Sequence, residues 1–200
     1  MLKTLIELQR LKGLQRTGWM LRGLGAGAES VADHSYGVAV VSMLLADELI
    51  ARGVSVDVEK ALRIALLHDW AEVRVGDLPR IATRYFGAKA RQQAERAAFD
   101  DIVRNCGEHH QRLYGELHED YETRSSIEAR LVKAADMIDL LLQTLAFERA
   151  GARGLDEFWE GVKEAEIGLE GTALEVVEEI MEELTACRRE LKTNQEEILK

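Results

Sequence analysis

Apolar residues recur every three or four positions along most of the 200-residue chain, and this spacing limits the fold more than any other feature. The chain has 16 glycines but a single proline, Pro79, so little interrupts long helices. No repeat, low-complexity tract or linker divides it. We therefore predict an all-α protein with one domain over residues 1–200.

Residues that favour helix starts divide this pattern into segments. Asp33 is placed to cap a helix that runs to about Arg52. Asp57 is placed to cap the next helix, "VEKALRIALLHDWAEV", which should end at "GDLPR". Serine or threonine three residues before glutamate predicts a capping box. Two such pairs precede the last long helices, Ser125/Glu128 and Thr172/Glu175.

Charge and cysteine content limit the classes of binding partner and the cellular compartment that we expect for this protein. The net charge of −10 argues against non-specific binding to nucleic acid, whose phosphates attract basic surfaces. Uncharged apolar runs fall short of the ~18 residues that a membrane span needs, so we predict no span. Cys106 and Cys187 form no CxxC pair and fit free thiols, or at most one disulfide. We expect a cytoplasmic protein.

The stretch "LLHDWAEVRVGDLP" places ionisable residues inside an apolar helical pattern. At ~100° per residue, Ile64 and Val75 lie within roughly 60° of His68, so His68 faces the core. Glu72, one turn further on, projects to nearly the same side, while Asp69 lies about 100° round the helix. Buried ionisable groups need partners, and this stretch must therefore face something polar.

Two other predicted helices carry similar residues. His34 points inward with Val38, and Asp136 shares the less apolar face of its helix with Asp139. Imidazole and carboxylate groups from several helices suit a divalent ion such as Mn²⁺, Co²⁺, Zn²⁺ or Mg²⁺. The alternative is a set of hydrogen-bonded core histidines, which an HD dipeptide alone does not exclude.

Other histidines look less informative. The run "CGEHH" has a metal-like composition in Cys106, Glu108, His109 and His110. However, adjacent helical histidines point about 100° apart, and the second ligand pair of a closed zinc site is missing. We interpret this run as a solvated helix face and expect His118, in "GELHEDYE", at the surface.

Taken together, "ESVADHS", "LLHDWAE", "VGDLP" and "KAADMIDLL" resemble the H…HD…D signature of the HD-domain phosphohydrolases. The form "HDxAExxxGDLP", with an upstream "QRTGWMLRG", resembles the HD-domain 5′-deoxynucleotidases. The resemblance covers about residues 10–145 and implies an HD-domain helical bundle with a metal site in its core. Residues 155–200 carry no motif that we recognise, and we expect their helices to serve packing or oligomerisation.

The resemblance also implies roles for single residues. Glu72 corresponds to the acid beside the metal-bound water, and Asp77 to a residue that holds the deoxyribose hydroxyl. Arg16 and Trp19 correspond to residues on the phosphate and sugar sides, although "RTGW" separates a pair that bacterial members keep adjacent. Arg22 is therefore a candidate to share the phosphate with Arg16. The implied metal ligands are His34, His68, Asp69 and Asp136.

Ordinary structural roles remain open for several of these residues. Trp19 serves equally well as an apolar lid over the core, and Arg16 as a surface cation. Asp77 fits a turn before Pro79.

The function implied is a metal-dependent phosphohydrolase that removes the 5′-phosphate of (deoxy)nucleoside monophosphates by attack of a metal-bound water. Asp69 and Glu72 would act in catalysis, with Co, Mn, Mg or Zn as cofactor, and the resemblance implies a homodimer. One alternative is an HD phosphohydrolase of a cyclic nucleotide, a triphosphate or a (p)ppGpp-like nucleotide. Another is a non-catalytic metal-binding scaffold.

Overall fold

A computed structural model describes residues 1–163 and 167–198 and confirms the all-α fold. Within these ranges no strand forms beyond an isolated antiparallel bridge between Gln15 and Ser30. A 3₁₀ turn at Gln9–Lys12 follows the first helix. The helices are α1 (Leu2–Leu8), α2 (Thr17–Met20), α3 (Val31–Ala51), α4 (Val58–Leu67), α5 (Glu72–Val75), α6 (Arg80–Phe86), α7 (Ala88–Val103), α8 (Glu108–Thr123), α9 (Ile127–Arg149), α10 (Asp156–Lys163) and α11 (Gly171–Ile198).

The helices group into two compact units. The first comprises Met1–Gly37 and Arg63–Thr123, and the second comprises Val38–Leu62 and Arg124–Lys200. The chain passes between the units inside α3 and inside α4, so each of these helices contributes to both.

The core of the first unit forms where α7 packs against α5, α6 and α8. Trp19, Phe99 and Ile102 are among its most deeply buried side chains. Thr4 is also buried and donates its hydroxyl to the Ile102 carbonyl, which ties α1 to α7. Burial of these large apolar side chains is the main favourable contribution to folding in this unit.

In the second unit, α10 and α11 pack on α9. The buried face of α9 includes Leu131, Ile138, Leu141 and Leu145. Leu142, four residues after Ile138, is 43% exposed, whereas Leu141, three residues after it, is buried. Both spacings suit a helix, so the sequence pattern alone does not separate them.

A charged cluster holds the C-terminal helices together within the second unit. The Arg188 guanidinium on α11 donates to the buried Glu148 carboxylate of α9 and to Asp156 at the start of α10. The same guanidinium lies 4.7 Å from the centre of the Trp159 ring. A planar guanidinium serves both kinds of contact at once.

Two helix starts differ from the predicted ones. Ser30 caps α3, because its hydroxyl accepts from the Asp33 amide while the Asp33 carboxylate accepts from Ser30. Ser126 caps α9, one residue later than predicted, and Glu128 instead accepts from the Asp57 amide. The prediction at Asp57 is confirmed, since its carboxylate accepts from the amide three residues on.

The predicted continuous helix through "VEKALRIALLHDWAEV" is wrong. It breaks after Leu67, and residues 68–71 form turns before α5 begins at Glu72. The amides of Trp70 and Glu72 each bond the carbonyl three residues back, which tightens the backbone here. The break falls on the His-Asp pair itself.

The long helix α3 is sufficiently long and apolar to cross a membrane, with a mean hydropathy of 1.2 in its most apolar window. In the structure 44% of that window is buried inside the protein. Val38, Leu45 and Leu49 on α3 are core residues. One such helix is weak support for a membrane span, because core helices share these properties.

The prediction that His118 lies at the surface is wrong. The side chain is buried, and its ring stacks on Phe99 of α7 with the ring centres 4.0 Å apart. Burial lowers the pKa of His118 to about 4, because an imidazolium ion loses its hydration there. The surrounding acidic sequence gave no sign of this aromatic partner on another helix.

This burial predicts a pH-dependent loss of stability. The unfolded protein binds more protons than the folded one between the ordinary pKa of 6.5 and about 4. The free energy of unfolding should therefore fall as the pH drops through this window, by up to about 1.4 kcal/mol per pH unit from this group. Urea unfolding of the wild type and His118→Phe at several pH values measures the difference, and parallel curves would contradict it.

Candidate metal and substrate site

The break after α4 fixes the orientation of His68. Its amide still donates to the Ile64 carbonyl at 3.0 Å, so the backbone leaves α4 in a defined direction. The Nδ1 atom lies 2.7 Å from the Ala65 carbonyl. Because a carbonyl only accepts, Nδ1 is a donor here, which leaves Nε2 as the ring nitrogen that a metal ion can take. Histidines commonly bind metals in this way.

One carboxylate oxygen of Asp69 faces both His34 and His68. Asp69 Oδ2 lies 3.2 Å from His68 Nε2 and 3.8 Å from His34 Nε2. The ligand atoms of the two histidines lie within 4.8 Å of each other, and both side chains are buried. Two imidazole nitrogens and a carboxylate thus converge inside this unit, at distances that a single ion could bridge.

Several polar atoms at this point lack a hydrogen bond. Among residues 1–163 and 167–198, the buried atoms without a hydrogen-bond partner include His68 Nε2, Asp69 Oδ2 and Glu72 Oε2. Buried polar groups normally have partners, and leaving them without one costs free energy. A divalent cation fits this donor set, because it accepts imidazole nitrogen and carboxylate oxygen together.

The two carboxylates differ in their protonation behaviour. Burial on its own would raise the pKa of Asp69, but His68, His34 and Arg16 outweigh it and hold that pKa well below its usual range. Burial, reinforced by the charges of Asp69 and Asp77, raises the pKa of Glu72 to about 10. Without an ion, Asp69 is therefore ionised at neutral pH and Glu72 is protonated. Such a contrast is common in acid–base sites.

Arg16 lies beside this group. Its Nη1 atom is 3.7 Å from Asp69 Oδ2, and its Nε atom is 3.9 Å from Glu29 Oε2. Trp19 is buried and donates its indole N–H to the same Glu29 oxygen. The structure thus brings Arg16 to Asp69, and it links Trp19 to Arg16 through Glu29, which the sequence analysis missed.

Asp77 is connected to the same corner. Its carboxylate accepts a hydrogen bond from the Thr17 amide, the residue after Arg16. The contact joins the loop after α5 to the start of α2. Asp77 therefore does more than form the turn before Pro79, since it also bonds a distant part of the chain. Arg22 donates Nη1 to the Gly18 carbonyl at 3.1 Å.

Arg91 on α7 is a second cation of this site, after Arg16, and sequence reasoning missed it. It is partly buried and donates Nε to Glu95 at 2.7 Å. Its charge, with that of Arg16, opposes the rise in the pKa of Glu72. In sequence the pair has the spacing of an ordinary surface ion pair, so nothing marked Arg91 as part of this site.

The remaining ligand candidate, Asp136, belongs to α9 in the second unit. It is half-buried, and its Oδ2 atom accepts from Lys133 at 2.6 Å. Its place in the ligand set stays a prediction from the sequence.

The "CGEHH" run behaves as expected for a solvated face. Glu108 and His109 are exposed, and Cys106 and His110 are partly exposed. Cys106 lies 3.6 Å from the Thr4 hydroxyl, and both cysteines are free.

Comparison with known proteins supports the resemblance in the sequence. The model of a family described as "HD domain" matches residues 8–166, most of the chain. This range includes His34, His68 and Asp136.

Curated relatives and solved structures agree with this match. The human protein named 5′-deoxynucleotidase HDDC2 is 35% identical over 139 residues, which are 70% of this chain and 64% of the relative. The Saccharomyces cerevisiae protein named 5′-deoxynucleotidase YGK1 is 34% identical over 76% of this chain and 69% of its own. The crystal structure of PH0347 from Pyrococcus horikoshii OT3 superposes with a TM-score of 0.74 at 35% identity, covering 91% of this chain and 99% of that one. The chain thus spans slightly less than two thirds of the human relative.

The raised pKa of Glu72 predicts how the metal-free protein responds to pH. Its folded state binds an extra proton above the ordinary pKa of 4.5, so the free energy of unfolding should fall as the pH rises from about 4.5 toward about 10. Glu72→Gln removes this proton and should flatten the slope between pH 6 and 9, as measured by urea unfolding in EDTA.

The matched control is Glu7→Gln. Glu7 pairs with Arg74 in the same unit, and the hydrogen bond from Arg74 lowers the pKa of Glu7, so its titration falls below this pH range. That variant should keep the wild-type slope. Equal slopes for wild type and Glu72→Gln would show that Glu72 is ionised in the folded metal-free protein.

Proposed function

Because the chain belongs to the HD-domain family, we propose that it is a metal-dependent phosphohydrolase that removes the 5′-phosphate of deoxynucleoside monophosphates. The names of the human and yeast relatives support this reaction. The residues of the first unit support it independently, because they combine candidate metal ligands with a cation and a proton-binding carboxyl group.

The proposed metal ligands are His34, His68 and Asp69, with Asp136 as the fourth on the ground of the sequence. A divalent cation held there would polarise a phosphoryl oxygen and lower the pKa of water toward neutrality. The Nε2 atom of His68 is placed for this role, since Nδ1 is bonded to the Ala65 carbonyl. Co, Mn, Mg and Zn all suit this set.

Arg16 and Asp77 are the proposed substrate contacts, together with Trp19. The Arg16 guanidinium would neutralise charge on the phosphoryl oxygens, because its planar fork matches two of them. Asp77 would accept from the deoxyribose hydroxyl, and its bond to the Thr17 amide also secures the backbone next to Arg16. Trp19 would shape the sugar side of the site.

Glu72 is the proposed acid–base residue, beside Asp69. It is buried and holds a proton more tightly than an ordinary carboxyl group. A carboxyl group of this kind can orient a water molecule, accept its proton and pass the proton on.

One observation carries the choice of an enzyme over a scaffold. The Nη1 atom of Arg16 lies 3.7 Å from Asp69 Oδ2, so a guanidinium borders the ligand group. A site for a phosphate dianion needs such a cation, whereas a purely structural metal site does not require one.

We also propose a single HD domain over residues 1–200 that works as a cytoplasmic homodimer, without nucleic-acid or membrane partners. Leu2, Leu5 and Ile6 on α1 are 70%, 54% and 63% exposed, which leaves apolar surface for a second copy. The net charge of −10 disfavours non-specific nucleic-acid binding.

A substrate panel tests the proposed function. Phosphate release from all deoxy- and ribonucleoside monophosphates, with Mn²⁺, Co²⁺, Mg²⁺ or Zn²⁺, should be metal-dependent and greatest for deoxynucleotides. Glu72→Gln should lower kcat by about 10²-fold or more, since it removes proton transfer. Cyclic nucleotides, triphosphates and a (p)ppGpp-like compound complete the panel.

His109→Ala is the control, because it removes an exposed histidine outside the site. It should keep wild-type turnover. Hydrolysis confined to the other nucleotide classes would favour another HD phosphohydrolase, and no turnover with any nucleotide and metal would favour the scaffold.

A further inference from the structure

Glu29 lies in the link between α2 and α3, directly before the residue that caps α3. Its side chain is 7% exposed. The main chain fixes its position, because the Arg16 amide donates to the Glu29 carbonyl at 3.0 Å. A carboxylate buried at a fixed place in a loop needs compensating partners.

Two side chains of the substrate region supply that compensation. Trp19 donates its indole N–H to Glu29 Oε2, and Arg16 Nε lies 3.9 Å from the same oxygen. Hydrogen bonds to a charged acceptor are stronger than neutral ones, which suits a buried carboxylate. Glu29 therefore contacts both residues that the sequence places on the phosphate and sugar sides.

The contact with Glu29 also orients the guanidinium of Arg16. The Nε edge faces Glu29, while Nη1 at the other end is 3.7 Å from Asp69 Oδ2. An unrestrained arginine side chain loses considerable rotamer entropy when it binds a ligand. Restraint at Nε reduces that loss and keeps the outer donors directed at the ligand group.

We propose that Glu29 is a positioning residue, which holds Arg16 and Trp19 in place for the phosphate and sugar of the substrate. This inference rests on the proposed function. Glu29 acts through Arg16 and Trp19 and takes no part in the chemical step.

Glu29→Gln tests the inference, since it keeps the length of the side chain but removes its charge. Calorimetry with inorganic phosphate on the Mg²⁺-loaded protein should give about tenfold weaker binding than wild type, the usual scale for a hydrogen bond or ion pair to a charged group. The KM for the best nucleoside monophosphate should rise by a similar factor. A role confined to loop folding would change stability without this change in phosphate affinity.

The indole N–H resonances supply a second readout that does not depend on turnover. The chain has three tryptophans, so a ¹H–¹⁵N spectrum shows three such peaks, and Trp19→Phe identifies the one from Trp19. In Glu29→Gln this peak should move upfield, because a neutral amide replaces a charged acceptor. The peaks of Trp70 and Trp159 should stay in place.

A double variant tests whether Glu29 acts through Arg16. Arg16→Met alone should weaken phosphate binding, and adding Glu29→Gln should weaken it no further. If Glu29→Gln folds poorly by itself, the double variant still tests the inference. It removes the carboxylate and the guanidinium together, so neither charge is left buried without the other. A further loss of phosphate affinity in the double variant would contradict action through Arg16.

Glu7→Gln is the matched control, since it breaks a carboxylate–guanidinium pair with Arg74 in the same unit. It should leave phosphate affinity and the Trp19 peak unchanged. Active wild-type enzyme with unchanged phosphate affinity and an unmoved Trp19 peak in Glu29→Gln would overturn the inference alone. Wild-type protein that hydrolyses no nucleotide would refute the proposed function. The phosphate affinity and the Trp19 peak of Glu29→Gln would still test whether Glu29 positions Arg16 and Trp19.

Discussion

The hydrogen bond from His68 Nδ1 to the Ala65 carbonyl is the interaction on which the candidate site depends. It exists because α4 ends at Leu67, which leaves the imidazole beside the last turn of its own helix. With Nδ1 engaged in this bond, Nε2 is the ring nitrogen that faces Asp69. The bond thereby reserves Nε2 for a metal ion.

The two carboxyl groups of the site, Asp69 and Glu72, differ in their protonation. Asp69 is stabilised as an anion by its neighbours, whereas Glu72 is driven to its neutral form by burial and by the charges of Asp69 and Asp77. Arg16 lies between Asp69 and Glu29. Such a group is poorly satisfied on its own, and this cost to stability is common in functional sites.

Local spacing predicted much of this site. The apolar stripes around His34 and His68 indicated inward-facing imidazoles, and both are buried. The all-α fold followed from the helical period and the single proline. The helix break after Leu67 was not predictable, because the apolar spacing runs on from Ile64 through Ala71 to Val75 as it would in an unbroken helix.

Other features depend on contacts between distant parts of the chain. His118 lies in an acidic stretch that looks solvated, yet Phe99 on another helix covers it. Glu29 has no periodic pattern to indicate its direction, and only the fold shows that Trp19 and Arg16 converge on it. Arg91 is hidden for the same reason, since its spacing with Glu95 is that of a surface pair.

The central claim is that His34, His68 and Asp69 hold a divalent ion. Calorimetric titration of Mn²⁺ into metal-stripped protein tests it most directly, with His68→Ala and the exposed-site variant His109→Ala in parallel. We predict a binding step in the wild type and His109→Ala that is lost or at least 10-fold weaker in His68→Ala. Equal Mn²⁺ affinity in all three proteins would contradict the account.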